Sequence, residues 1–183
     1  TAPSGTNSQR WTFTIVPDRP SVERVGEVVS DFFRRLNGLA GRGSVRLLSR
    51  IFDRKDRLGV YYREYYDSVK EALDGWDRER RDRLFHGAPA AILVGAAPGA
   101  SCPSEDALLA SQNILLAAHA MGLGTCLIGF VVEAMRSDRK IAQALGIPRG
   151  ERTYAVIAIG HPAERYRRAA GRKKVTPRYF EVS

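Results

Sequence analysis

The pattern of apolar residues is densest in the middle of the chain, at residues 104–130. From 107 to 121 apolar residues occupy nearly every face of a helix, and a helix that is apolar all round is typically buried. Ser104 suits the N-cap of this helix, and Glu105 and Asp106 in its first turn suit the positive end of its dipole. The pattern therefore predicts a buried central helix.

A glycine-rich turn follows this helix. Gly122 suits the residue just past a helix end, and residues 125–130 then predict a short buried strand interrupted by Gly129. The glycines have neither the G-x-G-x-x-G spacing nor the strand-to-helix order of a dinucleotide fingerprint. Gly124 and Gly129 have the spacing of a phosphate loop, but Phe130 stands where that loop needs lysine. Backbone N–H groups beside glycine suit the edge of a flat polar heterocycle.

Alternating and amphipathic patterns predict the remaining elements. A charged helical turn is expected at 77–83, and a basic, loop-like tail at 164–174. The apolar run at 153–159 is continuous, which indicates a strand in the centre of a sheet. The other predicted strands are 11–16, 90–96 and 178–182, and the other predicted helices are 21–36, 44–57, 61–73 and 133–145.

The order of these elements predicts one α+β domain over residues 1–183, in a three-layer α/β arrangement. Strands alternate with helices, and the longest helical block lies between the first two strands, which favours helices on both faces of one sheet. A chain of 183 residues is long enough for one domain with a sizeable core. The four tyrosines of 61–66 suit an aromatic helix face, for which core packing is favoured over a ligand-facing wall.

Composition narrows the classes of partner. The net charge is +9, which favours an anionic partner such as nucleic acid, an acidic protein or a phosphorylated ligand. Two cysteines, Cys102 and Cys126, are too few for a disulfide framework, an iron–sulfur cluster or a four-cysteine zinc site. No apolar run is long enough to span a membrane, and no secretory signal is found, so a cytoplasmic location is expected.

Three separated motifs together resemble the flavin-dependent nitroreductase family. Residues 2–11 read APSGTNSQRW, which is similar to the family's A-P-S-x-x-N-x-Q-P-W loop. Residues 122–129 read GLGTCLIG and follow the central helix. Residues 145–148 read LGIP, and a strand, GHP at 160–162 and a basic tail follow. The likeness is poor over 36–84, the region expected to build the substrate wall.

The resemblance implies a nitroreductase-like fold with a central mixed or antiparallel sheet, in an intertwined homodimer that binds FMN at the interface. Pro3, Ser4, Gly5 and Asn7 would line the flavin from the partner subunit. A second set of residues would hold the rest of the cofactor: Cys126, Leu127, Ile128, Gly129, Arg172 and Lys174. The backbone of 126–129 would face the ring near N5, and the two tail cations would bind the phosphate. For the two cations a generally basic tail is the alternative.

The implied activity is ping-pong reduction of a nitroaromatic, quinone or similar flat acceptor, with NAD(P)H or ferredoxin as the donor. Because the flavin carries this chemistry, no side chain is assigned as catalytic and no metal is expected. His119 is expected to be a hydrogen-bonded core histidine rather than a proton donor.

The sequence also departs from the family pattern. The usual N-terminal helix with an Arg-x-Ser-x-Arg-like cluster has no match. Either the start of the family domain lies upstream, as expected here, or this member binds FMN differently. Arg10 replaces the usual proline. The tail at 165–174 is most similar to members with an upstream ferredoxin-like domain.

Two alternatives stay open. A flavin-binding sensor or storage protein of the same fold would bind FMN without turnover. The charge of +9 also raises nucleic-acid binding, which is less favoured because few aromatic residues lie among the tail's cations to stack on bases. Those aromatic residues are Tyr166, Tyr179 and Phe180.

Overall fold

A four-stranded antiparallel sheet forms the centre of the protein. The computed structural model describes residues 2–53, 56–164, 167–168 and 170–180. The strand order is β1-β2-β4-β3, so β1 and β3 form the two edges. The strands are β1 (Trp11–Val16), β2 (Ala90–Ala96), β3 (Gly124–Leu127) and β4 (Arg152–Gly160).

Helices cover both faces of the sheet, as predicted. On one face α5 packs against the strands, and the other helices build the larger layer on the opposite face. None of the helices in the described ranges is long and apolar enough to cross a membrane. They are α1 (Arg19–Ala40), α2 (Gly43–Phe52), α3 (Arg57–Glu64), α4 (Tyr66–Glu79), α5 (Pro103–Ala120), α6 (Gly129–Ser137) and α7 (Arg139–Ala144), and a 3₁₀ turn occupies Gly5–Asn7.

The predicted strands at 11–16 and 90–96 are confirmed with the same bounds, and β4 lies inside the sheet as its continuous apolar run predicts. The strand predicted at 178–182 is wrong for residues 178–180, which are irregular, and the rest lies outside the described residues. The helix predicted at 133–145 is divided at Asp138, because its carboxylate accepts a hydrogen bond from the N–H of Lys140 and caps a new helix. The helix predicted at 61–73 is likewise divided, between α3 and α4.

The central helix is not buried on all sides, which corrects the prediction from its apolar pattern. Its small residues Ala107 and Ala110 face the sheet, whereas the larger Leu109 and Leu116 are 45% and 58% exposed. His119 is also exposed and is not a core residue. The reason is geometric, since one sheet face covers only one side of the helix.

The ends of this region also differ from the prediction. Cys102 occupies the N-cap of α5, and the Ser104 hydroxyl donates to the Glu105 carboxylate instead of capping. The predicted buried strand at 125–130 is shorter and partly exposed, because β3 is an edge strand that ends at Leu127. Phe130 therefore lies in the first turn of α6.

Helix α2 turns a partly buried arginine toward the protein and its largest apolar side chains outward. The Arg46 guanidinium donates to the Ala40 carbonyl and lies 3.8 Å from the centre of the Tyr62 ring. Four large apolar side chains point outward, with exposures from 58% to 81%: Leu47, Leu48, Ile51 and Phe52. This inverted arrangement was not evident from the sequence.

A partly buried carboxylate, Asp82, fixes the turn that leads into β2. It accepts hydrogen bonds from the Arg19 guanidinium at 2.7 Å and from the N–H groups of Leu84, Phe85 and Gly87 at 3.0, 2.8 and 3.2 Å. Because Arg19 is the first residue of α1, this cluster joins the turn to the start of the longest helix.

Asp82→Asn is expected to lower the free energy of unfolding by about 1–3 kcal/mol at pH 7, because hydrogen bonds to a charged group are lost. Burial raises the pKa of the Asp82 carboxyl, but the hydrogen bonds from Arg19, Phe85 and Gly87 outweigh it and hold the pKa below its ordinary value. The carboxylate therefore stabilises the fold above the unfolded-state pKa of about 3.9, and this contribution is lost as the pH falls through the lower folded-state pKa.

The measurement is urea unfolding from pH 7 to pH 3. The difference between wild type and Asp82→Asn should shrink below about pH 4. Glu64→Gln, at an exposed position, is the control and should show little difference at any pH. A loss of stability that is independent of pH would contradict the assigned role of the carboxylate.

Candidate functional site

The N-terminal loop is held on the first turn of α5 by a buried aspartate. The Asp106 carboxylate accepts hydrogen bonds from the Gly5 N–H at 2.8 Å and from the Ser8 hydroxyl at 3.4 Å. Asp106 is only 1% exposed. Ser101 adds a hydrogen bond from its hydroxyl to the Gly5 carbonyl at 2.7 Å. The loop that carries four predicted flavin ligands is therefore fixed to the protein body.

The backbone at Gly5 packs closely against two side chains, which would have to shift to admit a larger residue. A Cβ atom there would lie 2.8 Å from both the Cys102 Sγ and the Ser101 Oγ. Next to it, Asn7 has a φ of 54°, in the left-handed region that asparagine adopts more readily than most residues. The Asn7 side chain accepts a hydrogen bond from the Gln9 side chain at 2.9 Å. These contacts give the predicted loop a defined conformation.

The second predicted group lies where β3 ends and α6 begins. The Ile128 N–H donates to the Val156 carbonyl at 2.8 Å, which ties the junction to β4. Gly129 is the first residue of α6, and Ile128 at the N-cap supplies no side-chain hydrogen bond. The first N–H groups of a helix have no partner within the helix. Among the residues that the structure describes, none would lie within 4 Å of a Cβ atom at Gly129, so the first turn of α6 is open at this position.

This junction fits the edge of a flavin ring. The ring presents hydrogen-bond acceptors at N5 and O4, and the start of α6 presents backbone donors with no capping side chain. The flanking Cys126 and Leu127 are both exposed, so the approach is not closed by the protein's own side chains.

Phe130 joins the junction to a cluster of aromatic rings. Its ring centre lies 5.6 Å from that of Phe33 and 5.9 Å from that of Tyr65, both edge-to-face. The Tyr61 ring stacks on Phe33 at 6.4 Å, and its hydroxyl donates to the Asn37 side-chain oxygen at 2.6 Å. Burial raises the pKa of Tyr61. Core packing of the tyrosine face is confirmed for Tyr61, whereas Tyr65 is 43% exposed.

One chain does not bring the predicted groups together. The N-terminal loop precedes β1 and the junction follows β3, and these strands are the opposite edges of the sheet. Three strand intervals separate the edges by about 14 Å. Arg172 lies in the exposed tail, where its guanidinium donates to the carbonyls of Ala170 and Gly171 at 3.1 and 3.2 Å. Lys174 is exposed in the same tail.

Among the residues that the structure describes, no group of three or more His, Cys, Asp or Glu side chains is arranged to hold a metal ion. Cys102 and Cys126 are both exposed and free.

The sequence model of the nitroreductase family matches residues 1–161. The chain therefore belongs to the nitroreductase family. Its fold is that of the family, with an antiparallel sheet flanked by helices.

Relatives and solved structures agree with this assignment. A protein from Methanothermobacter thermautotrophicus, provisionally named an NADH dehydrogenase/NAD(P)H nitroreductase, is 42% identical over 60 residues, which are 33% of this chain and 31% of the relative. The chain thus matches less than a third of that relative's length.

Two solved structures share the fold. A nitroreductase with bound FMN from Desulfitobacterium hafniense has a TM-score of 0.61 at 24% identity, over 98% of this chain and 80% of the other. An FMN-dependent nitroreductase from Mycobacterium smegmatis, in complex with NADPH, has a TM-score of 0.54 at 20% identity, over 88% and 72%.

Sequence reasoning missed two residues of the site. Asp106 was noted only as an acidic residue at a helix start, although it anchors the loop. A carboxylate inside an otherwise apolar helix was the available signal, because a buried charge needs hydrogen-bond partners. Phe130 was placed in a strand, and nothing in its local sequence indicated the aromatic contacts that it makes.

Asp106→Ala should release the N-terminal loop and lower the free energy of unfolding by about 1–3 kcal/mol, because the Gly5 N–H loses its partner. Amide hydrogen exchange should become faster at Gly5 and its neighbours, with β2 unchanged. Glu105→Ala is the matched control, since it removes an exposed carboxylate from the same helix turn. Equal effects of the two variants would mean that the helix dipole, and not the loop anchor, is responsible.

Proposed function

We propose that this chain is an FMN-dependent oxidoreductase that passes reducing equivalents from a donor to a small flat acceptor. The observation that carries this proposal is the uncapped start of α6, directly after an edge strand and beside open space at Gly129. Two solved structures with the same fold contain bound FMN. When bound, FMN supplies a centre that accepts a hydride or electrons and passes them on.

The residues of this chain would hold and orient the cofactor. The N–H groups at the start of α6, with the backbone of 126–128, would donate to the ring edge. Arg172 and Lys174 would supply cations for the phosphate, whose charge favours such partners. The loop residues Pro3, Ser4, Gly5 and Asn7 would complete the site from a second copy, since they lie at the far edge of the sheet in the same chain.

A homodimer is supported by the apolar surface around α5. Leu108 and Leu116 on the helix are 52% and 58% exposed. Phe13 and Ile15 of β1 are 50% and 59% exposed, and they lie on the same sheet face as Trp11, which packs in the α5 cluster. Large side chains exposed together on one face are typical of an interaction surface. We propose that two copies associate through this face.

NAD(P)H is the proposed donor. An NADPH complex of a relative with the same fold supports it, and so does the name of the Methanothermobacter relative. Ferredoxin is the second candidate, from the resemblance of the tail to members with a ferredoxin-like domain.

Nitroaromatics and quinones are the proposed acceptors. A cytoplasmic location stays a prediction. A flavoprotein of the same fold without turnover is the alternative to catalysis.

The net charge of +9 already subtracts the carboxylates, but the mixing of arginines with carboxylates on the helical layer gives no support to a continuous basic surface for nucleic acid there. Many arginines of the helical layer are paired with carboxylates, which cancels their charge locally. Examples are Arg19 with Asp82, Arg34 with Asp77 and Arg83 with Glu71, at 2.7, 2.5 and 2.6 Å.

The proposed function predicts that the purified chain retains FMN after desalting, seen as flavin absorption bands, and that NADPH or NADH bleaches these bands under anaerobic conditions. Adding a nitroaromatic should restore them. Binding without any donor-dependent bleaching would favour the sensor or storage alternative. A chain that sheds added FMN would contradict the proposal.

Gly129→Pro tests the role of the α6 N–H in the same assay. Proline is well tolerated at the first helical position but has no N–H, so the variant should fold and bind FMN up to about tenfold more weakly. Gly129→Ala is the control, since it retains the N–H and its Cβ meets no protein atom within 4 Å. If alanine weakens binding as much as proline, added bulk rather than the lost donor is responsible.

Leu116→Glu should weaken the dimer at least about tenfold, because an unpaired charge would be buried at the interface. Light scattering across a dilution series measures this, with FMN retention followed in parallel. Leu47→Glu is the control, at a similarly exposed position on α2 in the other helical layer. A Leu116→Glu protein that remains dimeric would place the interface elsewhere.

A further inference from the structure

Helix α2 presents an apolar face to the outside of the larger helical layer. Its four large apolar side chains are 66%, 58%, 69% and 81% exposed, in the order Leu47, Leu48, Ile51 and Phe52. The pairs 47 and 51, and 48 and 52, are each one helical turn apart, so the four side chains share one face. They form the α2 ridge. Large apolar side chains exposed together are typical of an interaction surface.

Contacts on the opposite side of α2 fix the orientation of this ridge. The Arg46 guanidinium donates to the Ala40 carbonyl and lies over the Tyr62 ring, in a cation–π geometry. Val45 is partly buried on the same side, where α1 and α3 pack beside α2. The ridge is therefore preformed, and a partner that binds it does not have to order the helix first.

The charge around the ridge is positive and uncompensated. Residues 42–57 read RGSVRLLSRIFDRKDR, with six cations and two carboxylates, so this segment carries +4 of the net charge of +9. Unlike the paired arginines elsewhere in the helical layer, Arg42 and Arg50 are exposed without a carboxylate partner in the part of the chain that the structure describes. Arg50 follows Leu47 by three residues and so lies about 60° from it around the helix, at the border of the ridge.

These charges exclude two simple occupants of the ridge. Two copies packed ridge to ridge would bring their Arg50 side chains close together, and α2 contains no carboxylate to separate them. A nucleic acid would attract the arginines, but its charged backbone would leave the apolar ridge without an apolar partner.

An anionic membrane surface matches both the ridge and its charges. A helix with Leu and Phe on one side and Arg on the other lies in the plane of a bilayer surface, with its apolar side at the level of the acyl chains. Arginine side chains extend toward the headgroups, and anionic lipids attract them. We propose that α2 is a membrane-surface helix that attaches this protein to bilayers rich in anionic lipid. This attachment goes beyond the proposed function and is measurable without FMN.

Vesicle co-sedimentation is the first test. Vesicles of equal parts phosphatidylcholine and phosphatidylglycerol should bind the protein at least about tenfold more tightly than vesicles of phosphatidylcholine alone, because each arginine near an anionic surface contributes about fivefold. Added salt should weaken the binding by screening. Equal binding to both kinds of vesicle, or no binding to the anionic ones, would overturn the proposal.

Two variants place a charge on the ridge itself. Leu48→Glu and Phe52→Glu should each weaken vesicle binding at least about tenfold, because an apolar side chain no longer enters the acyl region. Both positions are exposed, so the urea midpoint of each variant should match that of the wild type. Val175→Glu is the matched control, since it makes the same change in net charge at an apolar position of the basic tail that is 87% exposed. If Val175→Glu weakens binding as much, the tail or the total charge is responsible and the proposal is wrong.

Arg50→Gln tests the flanking charge. It should weaken binding to the anionic vesicles about fivefold and leave binding to phosphatidylcholine unchanged. Arg149→Gln removes an exposed arginine outside α2 and should have little effect. Equal losses in the two variants would contradict a local role for α2.

Phe52→Trp measures insertion directly. Bromine atoms on the acyl chains of the anionic vesicles quench a tryptophan that lies among the chains, and the introduced tryptophan should be quenched. The wild-type protein is the control, because Trp11 lies in β1 and Trp76 in α4, both outside α2. Unquenched emission from vesicle-bound Phe52→Trp protein would show that the ridge stays in water and would overturn the proposal.

Discussion

The antiparallel pairing of β2 with β4 is the constraint on which the rest of the molecule depends. These two strands occupy the middle of the sheet, so β1 and β3 lie at its opposite edges. The N-terminal loop and the start of α6 are therefore held on opposite sides of one chain, about 14 Å apart across three strand intervals. In the proposed dimer the loop of one copy would lie beside the junction of the other, and the exposed apolar face of α5 supports this association.

Two carboxylates, one buried and one partly buried, fix the segments that the sheet does not pair. Asp106 holds the loop before β1 through the Gly5 N–H, and Asp82 holds the turn before β2 through Arg19 and three backbone N–H groups. Each compensates for its own burial by hydrogen bonds, as a buried charge requires. Around them the larger helical layer leaves a cleft between α1 and α4 that reaches Phe130.

Local patterns predicted much of the fold because they report which side of an element is apolar. The strands at 11–16 and 90–96 and the apolar face of α1 were predicted in this way. The same reasoning failed for α5, where the apolar residues exceed what one face of the sheet can cover. Burial depends on the surfaces that neighbours present, and no periodicity contains that information.

The amino-acid sequence by itself determined the family, through three short motifs, and the order of most strands and helices. The tertiary structure alone decided that Asp106 anchors the loop, that β3 ends at Leu127, and that Phe130 joins Phe33 and Tyr65. The physical reason is separation along the chain. Asp106 and Gly5 are 101 positions apart, so their hydrogen bond exists only once the sheet has brought α5 beside the loop. The residues of one motif lie within a few positions of each other, whereas these contacts are made between distant segments.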